Sequence, residues 1–289
     1  MPGNEPQPSS GDSGAGQPAR RNNLLLRVVS AIVLAPLALV AAWLGGWPFA
    51  VFWGVAAIVV LWEWLLLVAG PDHRLMFFSS ASTLAAAVLV ARLVRPAMAI
   101  PVVGAGVLAA AVFAPPERRL WSAGGVLCAG VLLVAPLLLR YDGNFGFAAI
   151  IFVFAVVWTT DILGYFGGRT FGGPKLAPAV SPNKTWSGAV SGAVGAMAVG
   201  TGVAAGLGLS DVAALALIAL LLSAAGQGGD LMESAIKRHF GVKDASHLIP
   251  GHGGVMDRLD GFWAAALVGC LIGLARGGFD GAARGLLVW

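Results

Sequence analysis

Charge is what this chain has least of. Of its 289 residues only 11% are Asp, Glu, Lys or Arg, against roughly 25% in soluble proteins, while 58% are hydrophobic. With a mean hydropathy of +0.83 the composition excludes an ordinary water-soluble fold and requires lipid as solvent. Cysteine is almost missing too. Cys128 and Cys270 sit in apolar stretches without a CxxC or a histidine at metal spacing, which excludes a disulfide framework and leaves two small buried hydrophobes. No GxxxxGK[ST] occurs, so a P-loop is excluded. The sequence pI near 9.5 comes with no base-stacking or groove-reading module, and no nucleic-acid partner is expected.

What the chain has in quantity is long apolar runs. They fall at 25–45, 48–69, 76–94, 97–114, 120–139, 145–166, 187–208, 211–228 and 261–278. Each is close to the roughly 20 residues that a helix needs to cross about 30 Å of hydrocarbon. The expected fold is all-α, a polytopic transmembrane helical bundle of about nine spans with the polar loops gathered on one side. Residues 1–23, rich in Pro, Gly, Ser, Asn and Gln, read as a disordered tail. This tail lacks the basic start and hydrophobic run of a cleavable signal peptide, so the first span should stay attached. Two transmembrane regions then follow, 24–144 and 145–289, the second carrying nearly all the polar motifs.

Nine spans with the tail inside place thirteen basic residues on the inner side and five, Arg92, Arg95, Arg140, Arg276 and Arg284, on the outer. That asymmetry satisfies the positive-inside rule and turns the two longest loops, 167–186 and 229–260, toward the cytosol of an inner (plasma) membrane.

Lysine is scarcer than arginine, four against fourteen, and all four lysines, Lys175, Lys184, Lys237 and Lys243, fall in or beside those loops. A flexible ammonium follows a phosphate well, so anionic substrates are one reading; positive-inside topology alone is the other. Six of the fourteen acids, Asp161, Asp230, Glu233, Asp244, Asp257 and Asp260, collect in the same segments. Asp230, Glu233, Ser234, Lys237 and Arg238 share one helical face, and Asp257 and Asp260 are spaced to do the same. Carboxylates near lysines at a membrane boundary suit magnesium, which takes few protein ligands and completes its shell with water and phosphate. His239, His247 and His252 lack partners at zinc spacing and read as polar or turn residues.

The stretch 250–254 (Pro-Gly-His-Gly-Gly) reads as a tight loop whose N–H groups could cradle phosphate. Glu63, between Trp62 and Trp64, is the only acid deep in the first five runs. It is either a functional group or a side chain reaching the interface between two anchoring tryptophans.

Together these residues carry a resemblance. Ser234, Lys237, Arg238, Lys243, Asp244, His252-Gly253-Gly254 and Asp257-Arg258-Leu259-Asp260 resemble the signature of the phosphatidate cytidylyltransferase (CDP-diacylglycerol synthase) family. Gly229-Asp230 through Ser234 and Leu176 through Thr185 resemble its other motifs, and the likeness covers about residues 158–261. Where family members often carry Glu this chain has Ser187, and the small residue before Tyr165 is Gly164.

The resemblance implies transfer of a cytidylyl group from CTP to phosphatidate with magnesium. For that reaction the residues assign Asp230 and Asp257 as principal magnesium ligands, with Asp260, Asp161 and Glu233 binding the metal directly or supporting its ligands. Lys237 and Lys243 are assigned as catalytic cations, and Lys184, Arg238, Arg258, His252, Gly253 and Gly254 as phosphate contacts. Ser181, Asn183 and Thr185 would bind phosphate or serve as turn and cap residues. The resemblance also implies a second cation and a homodimer, neither of them readable from spacing.

Two rival readings are weaker. Asp280-Gly-Ala-Ala-Arg284 is one residue short of the DGxxAR of CDP-alcohol phosphotransferases. A secondary transporter should show related halves with paired broken helices, and no such self-similarity is visible.

Overall fold

The computed structural model describes residues 32–68, 73–246, 248 and 253–289. The tail expected over 1–23 and the beginning of the first span lie outside them.

Ten helices follow one another: α1 Ile32–Leu44, α2 Gly46–Val68, α3 His73–Leu93, α4 Ala99–Phe113, α5 Arg119–Tyr141, α6 Gly146–Phe171, α7 Trp186–Gly206, α8 Val212–His239, α9 Met256–Gly277 and α10 Ala282–Leu287. Among the described residues eight helices, those from α2 to α9 with their short 3-10 lead-ins, are long and apolar enough to cross a membrane. α1 is the described part of the first expected run. The chain is therefore a multi-pass membrane protein, an all-α bundle.

Its centre is aromatic and aliphatic. Trp53 of α2 stacks on Phe262 of α9 with ring centroids 4.6 Å apart, and Phe154 of α6 leans on the same ring at 5.2 Å. α5 runs through the middle, with Leu132, Leu133 and Leu139 fully enclosed. α5 packs on α2 as well as on α9, so helices from both sides of the 144/145 boundary share one core.

Two of the charged helices outrun their apolar stretches. α6 reaches Phe171 and α8 reaches His239, because Asp161, Arg169 and the face from Asp230 to Arg238 continue the helix beyond hydrocarbon. Between α6 and α7 the expected loop holds a small antiparallel hairpin, β1 Lys175–Ala177 and β2 Ser181–Thr185, with Lys175 opposite Thr185.

Alternate helix direction brings the ends of α2, α6 and α8 and the starts of α7 and α9 to one face of the bundle. At the other face arginines close the fold. Arg140 Nε donates to Ala42 O at 2.7 Å, and Arg276 donates to Gly285 O at 2.7 Å while lying 3.6 Å over the Trp289 ring. Asp280 meets Arg95 there at 3.4 Å in an exposed pair, the kind that contributes little to stability.

Candidate active site

Most of the described polar residues singled out in the sequence assemble on the face where α6, α8 and α9 meet the hairpin and the described parts of the α8–α9 connection, 240–246 and 253–255. Close packing sets the arrangement. A Cβ on Gly229 of α8 would lie 2.5 Å from Asp260 O and 2.6 Å from Ala264, so only glycine lets α8 touch α9 there. Asp230, the next residue, is thereby set beside Asp260 and within electrostatic reach of it.

Lys184 of β2 forms an ion pair with Asp230, both side chains remaining about a third exposed, at 27% and 32%. Ser234 Oγ donates to the other Asp230 oxygen at 3.4 Å. Asp260 Oδ1 accepts from the Gly261 N–H at 2.7 Å; its second oxygen has no partner among the described residues. Asp161 of α6 is exposed and lies within electrostatic reach of Asp230, Lys184 and Arg258.

A second, deeper cluster lies one helical turn further along α8. Lys237 Nζ is 2.6 Å from Glu233 Oε2 and 2.5 Å from Asp257 Oδ1, and all three side chains are buried. Asp257 Oδ2 accepts the Ala245 N–H at 3.1 Å and the Gly254 N–H at 2.7 Å. Both oxygens of Asp257 are thus engaged, one by a cation and one by the loop. A buried carboxylate surrounded in this way is held by charge and hydrogen bonds together.

Glu63, the isolated acid of α2, reaches this loop from the opposite side. It is fully buried and accepts from Ser246 Oγ at 2.6 Å, from Val255 N at 2.9 Å and from Met256 N at 2.6 Å. Its reach is not toward an interface between tryptophans. Three successive backbone N–H groups, at 254, 255 and 256, therefore point at two carboxylates, and the Gly254 N–H is not directed at a phosphate.

The remaining expected contacts divide. Thr185 caps α7, its Oγ1 accepting the Gly188 N–H at 3.2 Å. Ser187 donates to Gly172 O and lies 3.0 Å from Thr185 Oγ1, so it ties the hairpin to the end of α6. Gly164 faces Gly188 O across the α6–α7 contact. Arg238, exposed, donates to Val180 O and Val242 O at 3.4 and 3.3 Å. Ser181, Asn183, Lys243 and Arg258 have no side-chain partner among the described residues, and Asn183, Lys243 and Arg258 are exposed. Gly253 has φ +80, as a tight turn requires. His252 and His247 lie outside the described residues.

Sequence reasoning did not find Ser246, or the Thr160–Ser223–Gln227 network beneath the site. There Thr160 Oγ1 donates to Ser223 Oγ at 2.8 Å and Gln227 joins Ser223 to Ala189 O. A lone Ser in a loop, like lone Ser, Thr and Gln in apolar helices, carries no spacing signal.

Beside the cluster an apolar groove of about 800 Å³ runs between α1, α2, α6 and α9. Val55, Ala56, Phe154 and Phe262 are among its walls, and Asp161 and Arg258 are the charged residues lining it.

Among the described residues no three His, Cys, Asp or Glu side chains are set to hold a metal by themselves. Magnesium does not need three, since it binds through one or two carboxylates, waters and substrate phosphates. Asp230 and Asp260, adjacent hard-oxygen donors with lone pairs to spare, fit that demand. Asp257, buried and already held by Lys237 and two backbone N–H groups, fits it less well.

Residues 25–273 match the model of the cytidylyltransferase family. A protein of Brucella abortus biovar 1 (strain 9-941) named phosphatidate cytidylyltransferase is 42% identical over 253 residues, covering 87% of this chain and 94% of the relative. One of the same name from Haemophilus influenzae is 32% identical over 280 residues, covering 83% and 94%. Another, from Bacillus subtilis, is 45% identical over 126 residues, 43% of this chain and 46% of its own length.

Proposed function

The chain belongs to the cytidylyltransferase family, and from that premise we propose that it transfers the cytidylyl group of CTP to phosphatidate, forming CDP-diacylglycerol and pyrophosphate. The observation that carries the choice of acceptor is the meeting of the apolar groove with the charged cluster. A diacyl lipid needs both, a dry trough for its tails and cations at the trough's charged end for its phosphate, and Arg258 stands at that junction.

In the proposed reaction an oxygen of the ionised lipid phosphate attacks the α-phosphorus of CTP. A new P–O bond forms as the bond to the β-phosphate breaks, and its electron pair leaves with pyrophosphate. No side chain has to take a proton from the nucleophile. The work of the protein is to bring two polyanions together in line and to stabilise charge on the oxygens.

Lys184, Lys243, Arg238 and Arg258 are accessible cations suited to that task. Lys243 and Arg238, exposed beside the hairpin, suit the triphosphate, and Arg258 suits the lipid phosphate. Lys237, buried between Glu233 and Asp257, suits a different role. It holds α8, α9 and the connecting loop in register and presents a fixed positive charge beneath the site.

Magnesium, held by Asp230 and Asp260 with Asp161 nearby, would supply Lewis-acid stabilisation of the phosphate oxygens. The site is proposed to face the cytosol of an inner membrane, where CTP is available. The support is the basic residues, which gather on the site's face of the bundle and are fewer on the other.

The test is pyrophosphate release by the purified protein. Release that requires CTP, phosphatidate and magnesium together supports the proposal. No release with all three present refutes it.

A further inference from the structure

The first turn of α9 has an unusual source of capping. Val255 stands at its N-cap position and has no side chain able to accept a hydrogen bond. A helix start leaves its first N–H groups without intrahelical partners. Here two of them, from Val255 and Met256, are taken by the carboxylate of Glu63, on a helix far earlier in the chain. The carboxylate also holds Ser246 Oγ, so it clasps both ends of the 246–256 connection. Gly254 completes the fit: a Cβ there would stand 2.6 Å from Glu63 Oε1.

Glu63 and Asp257 thus grip the same strip of backbone from two sides. Asp257 belongs to α9 and moves with it. Glu63 belongs to α2, whose Val55 and Ala56 wall the groove that ends at Arg258. Among the described residues, Glu63 supplies the hydrogen bonds that tie Ser246 and the start of α9, and with it Arg258 and Asp260, to the helix that forms the opposite side of the groove.

We infer that Glu63 is a positioning residue for the transfer reaction: it touches neither substrate, and it sets Ser246, Val255 and the first turn of α9 in the place where Lys243, Arg258 and Asp260 meet them. The inference rests on the cytidylyl transfer proposed above. It accounts for a fully buried acid, in a helix whose other contribution to the site is an apolar groove wall, by what its oxygens hold.

The variant that tests it is Glu63→Gln. The amide keeps the shape but presents an NH2 donor where the carboxylate presented an acceptor, and that donor would face backbone N–H groups. Two quantities are read on full-length protein in detergent: hydrogen–deuterium exchange of peptides spanning 243–256, and kcat and KM for each substrate.

The expected result is faster exchange confined to that segment, with kcat lowered at least about tenfold, the scale on which small misplacements near reacting groups act. Peptides of α3 and α4 should exchange as in the parent protein. Exchange and kcat both within twofold of the parent would overturn the inference, and so would faster exchange spread over the whole bundle. If Glu63→Gln does not purify, Ser246→Ala takes its place. Faster exchange near 246 with a raised KM for CTP supports the inference, and no change in either overturns it. Should the parent protein release no pyrophosphate, the reaction reading fails on its own and the exchange comparison decides the clasp alone.

Discussion

Lys237 Nζ lies 2.5 Å from Asp257 Oδ1, joining the last turn of α8 to the first turn of α9 through a buried pair. Glu233 shares the same ammonium. Removing one partner from a buried ion cluster leaves an uncompensated charge and costs about 3–5 kcal/mol. Asp257→Ala should therefore lower the melting temperature in detergent as well as the activity. The double variant Asp257→Ala, Lys237→Met should be less destabilised than the sum of the two single changes, which a double-mutant cycle on melting curves measures.

Asp230 and Asp260 are expected to behave differently from Asp257. Their oxygens are less engaged, so Asp230→Asn and Asp260→Asn should fold normally. Turnover should nevertheless fall by about 10² or more, as when a charge-stabilising group is removed at a reaction centre. Chelation should abolish turnover in the parent protein and added magnesium restore it. Either asparagine variant turning over at a near-normal rate in excess magnesium would remove that residue from the metal assignment.

Lys243 is exposed, with no partner among the described residues, so its loss should not disturb packing. Lys243→Ala should raise the KM for CTP by about tenfold with a smaller change in kcat, the pattern of a lost binding contact. Steady-state kinetics with CTP varied at saturating phosphatidate gives the split.

The groove makes a separate demand. Ala56 is one of its walls and is largely covered. Ala56→Phe would fill part of the trough and should raise the apparent KM for phosphatidate dispersed in detergent micelles while leaving the KM for CTP within twofold. A rise in both equally would argue that the groove is not where the lipid lies.

Thr185 tests a contact that sequence left between two roles. Its hydroxyl caps α7. Thr185→Ala should cost about 1 kcal/mol of stability, and Thr185→Ser should recover most of it. Activity measured below the melting range should stay within twofold in both, whereas a large loss in Thr185→Ala alone would return the hydroxyl to substrate binding.

The membrane architecture was legible because a crossing helix needs an unbroken apolar run, and such runs need no partner to be recognised. Their charged extensions were less so. Apolarity ends near 228 in α8 while the backbone continues to His239, since a helix leaving hydrocarbon keeps its hydrogen bonds and changes only its side chains. The hairpin over 175–185 is not legible in the sequence, because Pro178 and Pro182 hide any strand pattern. Within the site, Glu233 and Lys237 could be paired from their spacing, one turn apart on a helix. What Lys237 and Glu63 hold could not, because Asp257, Ser246 and Val255 come from other elements and spacing carries no information across them.

The contact between Glu63 and the start of α9 also bears on how the protein is made. Val255 follows Glu63 by 192 residues, so α2 enters the membrane long before its acid has anything to hold. A carboxylate near hydrocarbon without a partner is costly. Until the ninth helix leaves the ribosome, the growing chain is a set of inserted helices with an unanswered charge among them. Synthesis therefore completes the bundle late. A change at Glu63 or in the first turn of α9 should reveal itself to the cell's membrane quality control only when nearly the whole polypeptide has been spent.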